Sequence, residues 1–193
     1  SDNSLGYVTW YAVIAGGGGN RVGADYWGGC ETISGGVNNS ILTDGLMSTI
    51  AGGGSNRIYG YGNVVGGGEY NVVETDFQVT GHSAICGGRN NTVFLGGASA
   101  IGGGDTNLVV GQASVISGGY ANWVGYREVT DPWWTSFLSD CAVVAGGMSN
   151  RVVSSYASFL GGANNVVELN SDFGVVLGGV SNVVHGSHAL AAG

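Results

Sequence analysis

The segment Val176-Leu-Gly178-Gly179-Val-Ser-Asn182-Val-Val184 contains the pattern that decides the fold of this 193-residue chain. An apolar anchor is followed by a glycine pair two and three residues later, an asparagine six residues later and a β-branched residue eight residues later. The pattern occurs ten times, with anchors at Ile14, Ile33, Ile50, Val65, Ile85, Ile101, Ile116, Val144, Phe159 and Val176. Such short-period self-similarity is typical of solenoids, whose repeats bury their apolar side chains by stacking on their neighbours.

Each repeat has the residue types of two short strands joined by a tight turn. The anchors lie in β-rich runs such as 12–15, 48–51 and 142–145, and β-branched residues favour strands. The glycine pair permits positive φ and close approach of the next repeat. We expect the asparagines to adopt the left-handed conformation that closes the turn and to stack as a ladder. The expected ladder is Asn20, Asn39, Asn56, Asn71, Asn91, Asn107, Asn122, Asn150, Asn165 and Asn182.

These features predict an all-β fold, a parallel β-solenoid or β-roll of ten repeats plus a truncated eleventh that begins at Leu190. A single domain would cover residues 1–193, with an N-terminal cap at 1–11, repeats at 12–184 and a truncated terminal repeat at 185–193. The residues that flank the anchors are small, and they predict a flat apolar face that packs against other chains as a homotrimer or filament. Cys86 belongs to this face, so we expect a buried thiol.

Composition and motifs exclude several classes of protein. A net charge of −8 argues against nucleic-acid binding, because phosphate contacts need clustered Lys and Arg. The chain lacks the roughly twenty unbroken apolar residues of a membrane span, which argues against membrane insertion. His82, His185 and His188 have no nucleophile at motif spacing, and the glycine pairs lack the Lys-Ser/Thr of a phosphate loop. We therefore predict no enzyme activity, no cofactor and no metal site.

The longest insertion between repeats, residues 125–141, is the candidate recognition site. Aromatic side chains on a rigid scaffold give large contact areas for receptors or sugars. The alternative is that its tryptophans cover a neighbouring coil or fill a subunit interface, because large apolar side chains are usually buried. The candidate residues are Tyr126, Arg127, Asp131, Trp133, Trp134 and Phe137, joined by Tyr26, Trp27 and Phe77 from two smaller insertions.

The stretch Ser99-Ala-Ile-Gly-Gly-Gly-Asp-Thr-Asn-Leu-Val-Val-Gly-Gln-Ala-Ser-Val-Ile-Ser-Gly-Gly resembles the head repeats of trimeric autotransporter adhesins of the YadA type. It is also similar to the Gly-Gly-x-x-Asn arrays of bacterial surface proteins and phage tail-fibre proteins. The resemblance covers nearly the whole chain. It implies a left-handed parallel β-roll with three chains side by side.

We therefore predict a non-enzymatic, extracellular structural fibre and adhesive or receptor-binding module, on a cell surface or as a virion fibre. Its expected partners are further copies of itself and a cell-surface glycan or protein receptor. Two alternatives remain open at this point. One is a purely structural, self-assembling filament subunit, and the other is an ice-binding β-solenoid.

Overall fold

The computed structural model describes residues 2–6, 9–23, 28–42, 44–75, 81–125, 127–131, 134–137 and 140–193. Within these ranges every regular element is a β-strand. In chain order the strands are β1 (Ser4–Leu5), β2 (Thr9–Trp10), β3 (Val13–Ile14), β4 (Arg21–Val22), β5 (Gly28–Gly29), β6 (Thr32–Ile33), β7 (Ser40–Ile41), β8 (Thr49–Ile50), β9 (Arg57–Tyr59), β10 (Val64–Val65), β11 (Val72–Glu74), β12 (Ala84–Ile85), β13 (Thr92–Phe94), β14 (Ala100–Ile101), β15 (Leu108–Val110), β16 (Val115–Ile116), β17 (Trp123–Gly125), β18 (Arg127–Asp131), β19 (Trp134–Phe137), β20 (Val143–Val144), β21 (Arg151–Val152), β22 (Ser158–Phe159), β23 (Val166–Val167), β24 (Val175–Val176), β25 (Val183–Val184) and β26 (Leu190–Ala191).

Most of these strands belong to two parallel sheets that run the length of the molecule. The first sheet has 11 strands in the order β1-β4-β7-β9-β11-β13-β15-β17-β21-β23-β25. The second also has 11 strands, from β3 through β6, β8, β10, β12, β14, β16, β20, β22 and β24 to β26. A column of single bridges, from Gly18–Val37 to Ala163–Val180, joins the segments between them. The predicted all-β parallel β-solenoid is therefore confirmed, and we call each winding a coil.

The core lies between the two sheets and consists of one anchor and one β-branched residue from each coil. In coil after coil both side chains are fully buried, as Ile101 and Val109 illustrate. Phe159 is the one aromatic anchor, and it too is fully buried. Each repeat therefore contributes little core of its own, and its stability depends on the coils above and below it.

The second glycine of each pair is the one that the turn requires. Gly162 has φ +95°, and a Cβ there would overlap the carbonyl oxygen of Gly179 in the next coil and lie 2.7 Å from Asn165 Nδ2. By contrast, a Cβ at Gly161 would have nothing within 4 Å. A side chain is therefore excluded at the second position by both backbone conformation and close coil stacking.

The repeated asparagines form a buried hydrogen-bonded ladder. The backbone N–H of Asn107 donates to Asn91 Oδ1 at 3.1 Å, and Asn107 Oδ1 in turn accepts the N–H of Asn122 at 3.0 Å. Asn107 Nδ2 also donates to the carbonyl oxygens of Gly103 and Gly119, both at 3.0 Å. Each amide thus satisfies polar groups in its own coil and in both neighbouring coils.

The expectation that these asparagines adopt the left-handed conformation is wrong. The positive φ belongs to the residue before each one, as at Thr106 with φ +60° and Asn164 with φ +55°. That preceding residue turns the chain outward, so the ladder asparagine points into the interior. Its amide then hydrogen-bonds the carbonyl four residues earlier in the same coil as well as groups in the neighbouring coils, as Asn107 does with Gly103, Gly119 and Asn91.

Both terminal regions extend the sheets. Within residues 1–11, which we expected to be a cap, β1 pairs with β4, and Asn3 Oδ1 accepts the N–H of Asn20 at 3.0 Å. Asn3 is thus a further member of the ladder. In the last coil, Val176 pairs with Ala191, so Ala191 occupies the anchor position. The assignment of Leu190 as an anchor is wrong, and its side chain is 65% exposed.

A second polar ladder, made mainly of serines, lines the turn before the anchor strands. Ser83 Oγ accepts the N–H of Ser99 at 3.2 Å, and Ser99 Oγ accepts the N–H of Ser114 at 3.2 Å. Each hydroxyl also donates to a carbonyl of a neighbouring coil, as Ser99 Oγ does to Gly111 at 2.7 Å. The described interior is therefore apolar at its centre and hydrogen-bonded at two of its corners.

Candidate functional site

The longest insertion contains a β-hairpin attached to the side of the solenoid. Strands β18 and β19 pair antiparallel, with Arg127 opposite Phe137 and Asp131 opposite Trp134. The register shifts between Glu128 and Asp131, which marks a bulge or other irregularity in the pairing. An antiparallel pair within a parallel solenoid is an independent element, and it brings four of the predicted recognition residues into one unit.

The hairpin is anchored at both ends. Gly125 has φ +118°, and its Cα lies so close to the carbonyl of Val110 that a Cβ would overlap it. At the other end, Asp140 Oδ1 accepts the N–H of Gln112 at 3.1 Å, and the N–H of Cys141 donates to the carbonyl of Gln112 at 2.9 Å. The chain therefore leaves and re-enters the solenoid at fixed points in two adjacent coils.

The structure describes four of the nine predicted recognition residues. For these four, Arg127, Asp131, Trp134 and Phe137, it gives the backbone pairing alone. The other predicted recognition residues, which fall outside the described part of the chain, are Tyr26, Trp27, Phe77, Tyr126 and Trp133. The aromatic patch predicted from the sequence therefore stays a prediction.

The outer surface of the second sheet is flat, uncharged and mostly apolar. Its outward-facing strand residues include Val13, Val64 and Val143, which are 49%, 43% and 40% exposed. The outward positions are Val13, Ala15, Thr32, Ser34, Thr49, Ala51, Val64, Gly66, Ala84, Cys86, Ala100, Gly102, Val115, Ser117, Val143, Ala145, Ser158, Leu160, Val175, Leu177, Leu190 and Ala192. We call this surface the flat face.

Two sequence-based expectations can be compared with the flat face. The thiol of Cys86 is exposed in the single chain, so the expectation of a buried cysteine is wrong for an isolated copy. Thr32 pairs with Thr49, but the same column continues with Val64 and Ala84. A regular array of threonines, as an ice-binding surface would need, is therefore limited to two neighbouring coils in this column.

An aromatic stack lies on the corner that precedes the second sheet. Tyr156 and Phe173 stack with ring centroids 5.0 Å apart and an interplanar angle of 8°. His188 continues the stack at 5.0 Å from Phe173 and 16°. All three residues have positive φ, so the corner repeats one backbone conformation in successive coils and places their side chains directly above one another.

One exposed ion pair links successive coils along the bridge column. Arg89 Nη2 lies 2.6 Å from Asp105 Oδ2, and the hydroxyl of Thr106 donates to Asp105 Oδ1 at 2.8 Å. The hydrogen bond from Arg89 lowers the pKa of Asp105 below its ordinary value, and the one from Thr106 lowers it further. The same contact with Asp105 raises the pKa of Arg89. Because Arg89 is solvent-exposed and Asp105 is partly exposed, the pair contributes little to stability.

Metal-ligating and titratable side chains are scattered over the described surface. No group of three or more His, Cys, Asp or Glu within the described ranges is placed to hold a metal ion. His185 Nδ1 lies 2.9 Å from Glu168 Oε2 on the exposed edge of the first sheet, whereas His82 and His188 lie in the corner before the second sheet. The structure therefore brings the three histidines to different coils.

Comparison with known proteins gives no family assignment. No protein-family model and no curated protein matches the chain. Among the described residues, no helix has the length and apolar character needed to cross a bilayer. The resemblance to adhesin heads and tail fibres is therefore supported only at the level of a β-solenoid made of stacked coils.

Proposed function

We propose that this chain is a non-enzymatic structural fibre module of the extracellular space, which associates with copies of itself and attaches to a receptor through its hairpin. The flat face is the single observation that carries the proposal. It provides an extended, uncharged surface on the outside of a rigid scaffold. A continuous apolar surface of this kind is suited to packing against another copy.

The dimensions of the flat face support this association. Eleven strands at about 4.8 Å spacing give a length of roughly 50 Å. Most of the outward residues are small, so a second sheet can approach to about 10 Å, the usual distance between packed sheets. The described outward positions also carry no formal charge, so packing would leave no ion unpaired. We expect the homotrimer to bury this face at its centre.

A pair of matched variants tests the association. Val143 is 40% exposed in the second sheet and Val183 is 47% exposed in the first, so Val→Arg is the same change on two different surfaces. We expect the parent chain and Val183→Arg to sediment as trimers, and Val143→Arg to sediment as a monomer. A parent chain that is monomeric at all concentrations tested by sedimentation equilibrium would contradict self-association.

Receptor attachment is tested by removing the hairpin. Residues 126–140 can be replaced by a copy of Gly111 and Gln112, the middle of the short connection that follows Val109 in an earlier coil, so that Gly125 and Cys141 are kept. We expect the circular dichroism spectrum and melting temperature to remain close to those of the parent, because the hairpin lies outside the two main sheets. Binding to a printed array of cell-surface glycans and receptor proteins is expected to be lost.

The alternative of a purely structural filament has its own support in the flat face. If the parent chain assembles but binds nothing on the array, the alternative of a purely structural filament holds. If the hairpin-replaced chain assembles less well than the parent, the hairpin belongs to an interface. Undiminished array binding by the hairpin-replaced chain would place recognition on another surface.

A further inference from the structure

A shallow depression of about 300 Å³ lies on the outside of the first sheet, near the middle of the solenoid. It is formed by three successive coils and lies on a different surface from the flat face. Its lining consists of Asn90, Thr92, Thr106, Asn107, Leu108, Ala121, Asn122 and Trp123. None of these residues is charged, and the side chains of Asn107 and Asn122 are buried in the ladder. The exposed lining therefore combines the ring of Trp123 with the amide of Asn90 and the hydroxyls of Thr92 and Thr106. This composition is typical of sites that bind neutral, amphipathic small molecules.

The indole of Trp123 forms one wall of the depression and is held in place from the opposite side. The guanidinium of Arg151 lies 4.9 Å from the centroid of the Trp123 ring. Arg151 belongs to the next coil, whereas the depression is lined by the coil of Trp123 and the two preceding coils. The cation–π contact therefore restrains the ring without occupying the depression. The side chain remains 39% exposed.

The polar rim of the depression is also held in a fixed geometry. The hydroxyl of Thr106 donates its proton to Asp105 Oδ1 at 2.8 Å, so the lone pairs of Thr106 Oγ1 are oriented as acceptors. Asp105 is fixed in turn by two hydrogen bonds from Arg89, at 2.6 and 3.2 Å. An adjacent coil places Asn90 beside Thr106 at the same rim. Thr106 and Asn90 thus supply hydrogen-bonding groups to the same depression as the ring of Trp123.

We propose that this depression is a binding site for a neutral saccharide. A pyranose ring has one face of C–H bonds, which suits the electron-rich face of an indole, and a rim of hydroxyl groups, which suits acceptors such as Thr106 Oγ1. The uncharged lining favours a neutral sugar over an acidic one. Successive coils repeat at about 4.8 Å, so consecutive sugar units of an oligosaccharide can contact consecutive coils.

A peptide strand is a less suitable occupant of the same depression. Strand addition requires unpaired backbone N–H and C=O groups at a sheet edge. Here β15 pairs with β13 on one side and with β17 on the other, so its backbone hydrogen bonds are already made. A bound peptide would have to rely on side-chain contacts with a shallow surface. The saccharide is therefore the occupant that the chemistry favours.

The test is a titration of the folded chain with neutral oligosaccharides, namely trisaccharides of glucose, galactose, mannose and N-acetylglucosamine. Binding is followed by the indole N–H resonances in NMR spectra, and we expect a Kd of about 1 mM or tighter for at least one sugar. Trp123→Ala is expected to weaken binding at least ten-fold. The matched control is Trp10→Ala, which removes a 71% exposed tryptophan of β2 far from the depression and should leave binding unchanged.

Thr106→Ala is a second variant that keeps the fold, since Ala121 occupies the equivalent position of the next coil with φ +53°. It removes the hydroxyl acceptor, and we expect several-fold weaker binding. The proposal is overturned if none of the four trisaccharides shifts the indole resonances, or if Trp123→Ala and Trp10→Ala bind equally well. The hairpin-replaced chain should retain saccharide binding, so failure of the receptor proposal and failure of this one give different results.

Discussion

The ladder amide of Asn107 allows a quantitative test of how the coils are held together. Asn107→Asp keeps the shape of the side chain but removes its N–H donors. In the parent, Nδ2 donates to Gly103 O, Gly119 O and Asn91 Oδ1, all at 3.0 Å. After the substitution a carboxylate would face these three acceptors in a fully buried site. Each buried polar group left unsatisfied costs about 1–3 kcal/mol, and more when a charge is involved.

We therefore expect Asn107→Asp to lower the free energy of unfolding by about 4 kcal/mol at neutral pH. At about 2–4 °C per kcal/mol for a chain of this size, the melting temperature should fall by roughly 10 °C. The matched control is Asn164→Asp, the same chemical change at an exposed residue whose positive φ Asp also tolerates. Its expected effect is within about 0.5 kcal/mol. Both values come from urea unfolding followed by circular dichroism.

The loss in Asn107→Asp should also depend on pH, because burial among carbonyl oxygens raises the pKa of the introduced carboxyl in the folded state. The protonated form can donate one hydrogen bond, so the variant is closest to its parent below the unfolded-state pKa of about 3.9. Its relative stability then falls as the pH rises from that value to the folded-state pKa. Equal losses for Asn107→Asp and Asn164→Asp would refute the inference that the ladder holds the coils together.

Three further predictions concern single positions. Gly162→Ala should lower the free energy of unfolding by several kcal/mol, whereas Gly161→Ala should change it by less than about 1 kcal/mol; thermal unfolding of the pair distinguishes them. Arg89→Gln should return the pKa of Asp105 toward about 3.9, as measured by NMR titration. In the parent, the small stabilisation from this lowered pKa is present above about pH 4 and is lost as the pH falls through the folded-state pKa of Asp105. If Arg89→Gln leaves the dependence of the unfolding free energy on pH unchanged, the Arg89–Asp105 pair contributes nothing to stability. Cys86 should react with a thiol reagent in dilute monomer and be protected at concentrations where the chain assembles; equal rates at both concentrations would remove the flat face from the interface.

The fold was predictable because each repeat satisfies several constraints at once. An anchor, a left-handed glycine and a buried amide at fixed spacing leave few arrangements other than stacked coils, and the pattern recurs ten times without an internal insertion. Gly162 shows the reason, since a Cβ there would overlap the next coil. A helix or an antiparallel sheet would give no reason for that glycine to recur.

The end coils were harder to interpret, because half a repeat lacks most of its signals. Asn3 is followed by Leu5 at the usual spacing of two, but no glycine pair precedes it. At the other end, Leu190 stands three residues before Gly193 and so matches the spacing of a true anchor. Backbone pairing with Val176 instead selects Ala191. Register is set by hydrogen bonding across coils, which a single half repeat does not reveal.

The role of the asparagines was half predicted. The preference of Asn for positive φ correctly indicates a turn that contains a left-handed residue. It assigns the left-handed conformation to Asn107, whereas the structure has it at Thr106. A buried amide that hydrogen-bonds three coils outweighs the modest preference of Asn for positive φ. The saccharide depression had no sequence motif at all. Asn90, Thr106 and Trp123 lie in different repeats and become neighbours only after the coils stack.

The hairpin insertion also has a consequence for the order in which the chain folds. Ladder partners are separated by 15 residues in compact coils, as at Asn107 and Asn122, but by 28 residues across the hairpin, from Asn122 to Asn150. Such short separations in a 193-residue chain give a low contact order and favour rapid nucleation and stepwise propagation. Closing the longer loop is entropically the most demanding of these steps. Because each doubling of loop length costs only about 0.6 kcal/mol, propagation between Val124 and Val144 should be a few-fold slower than between compact coils.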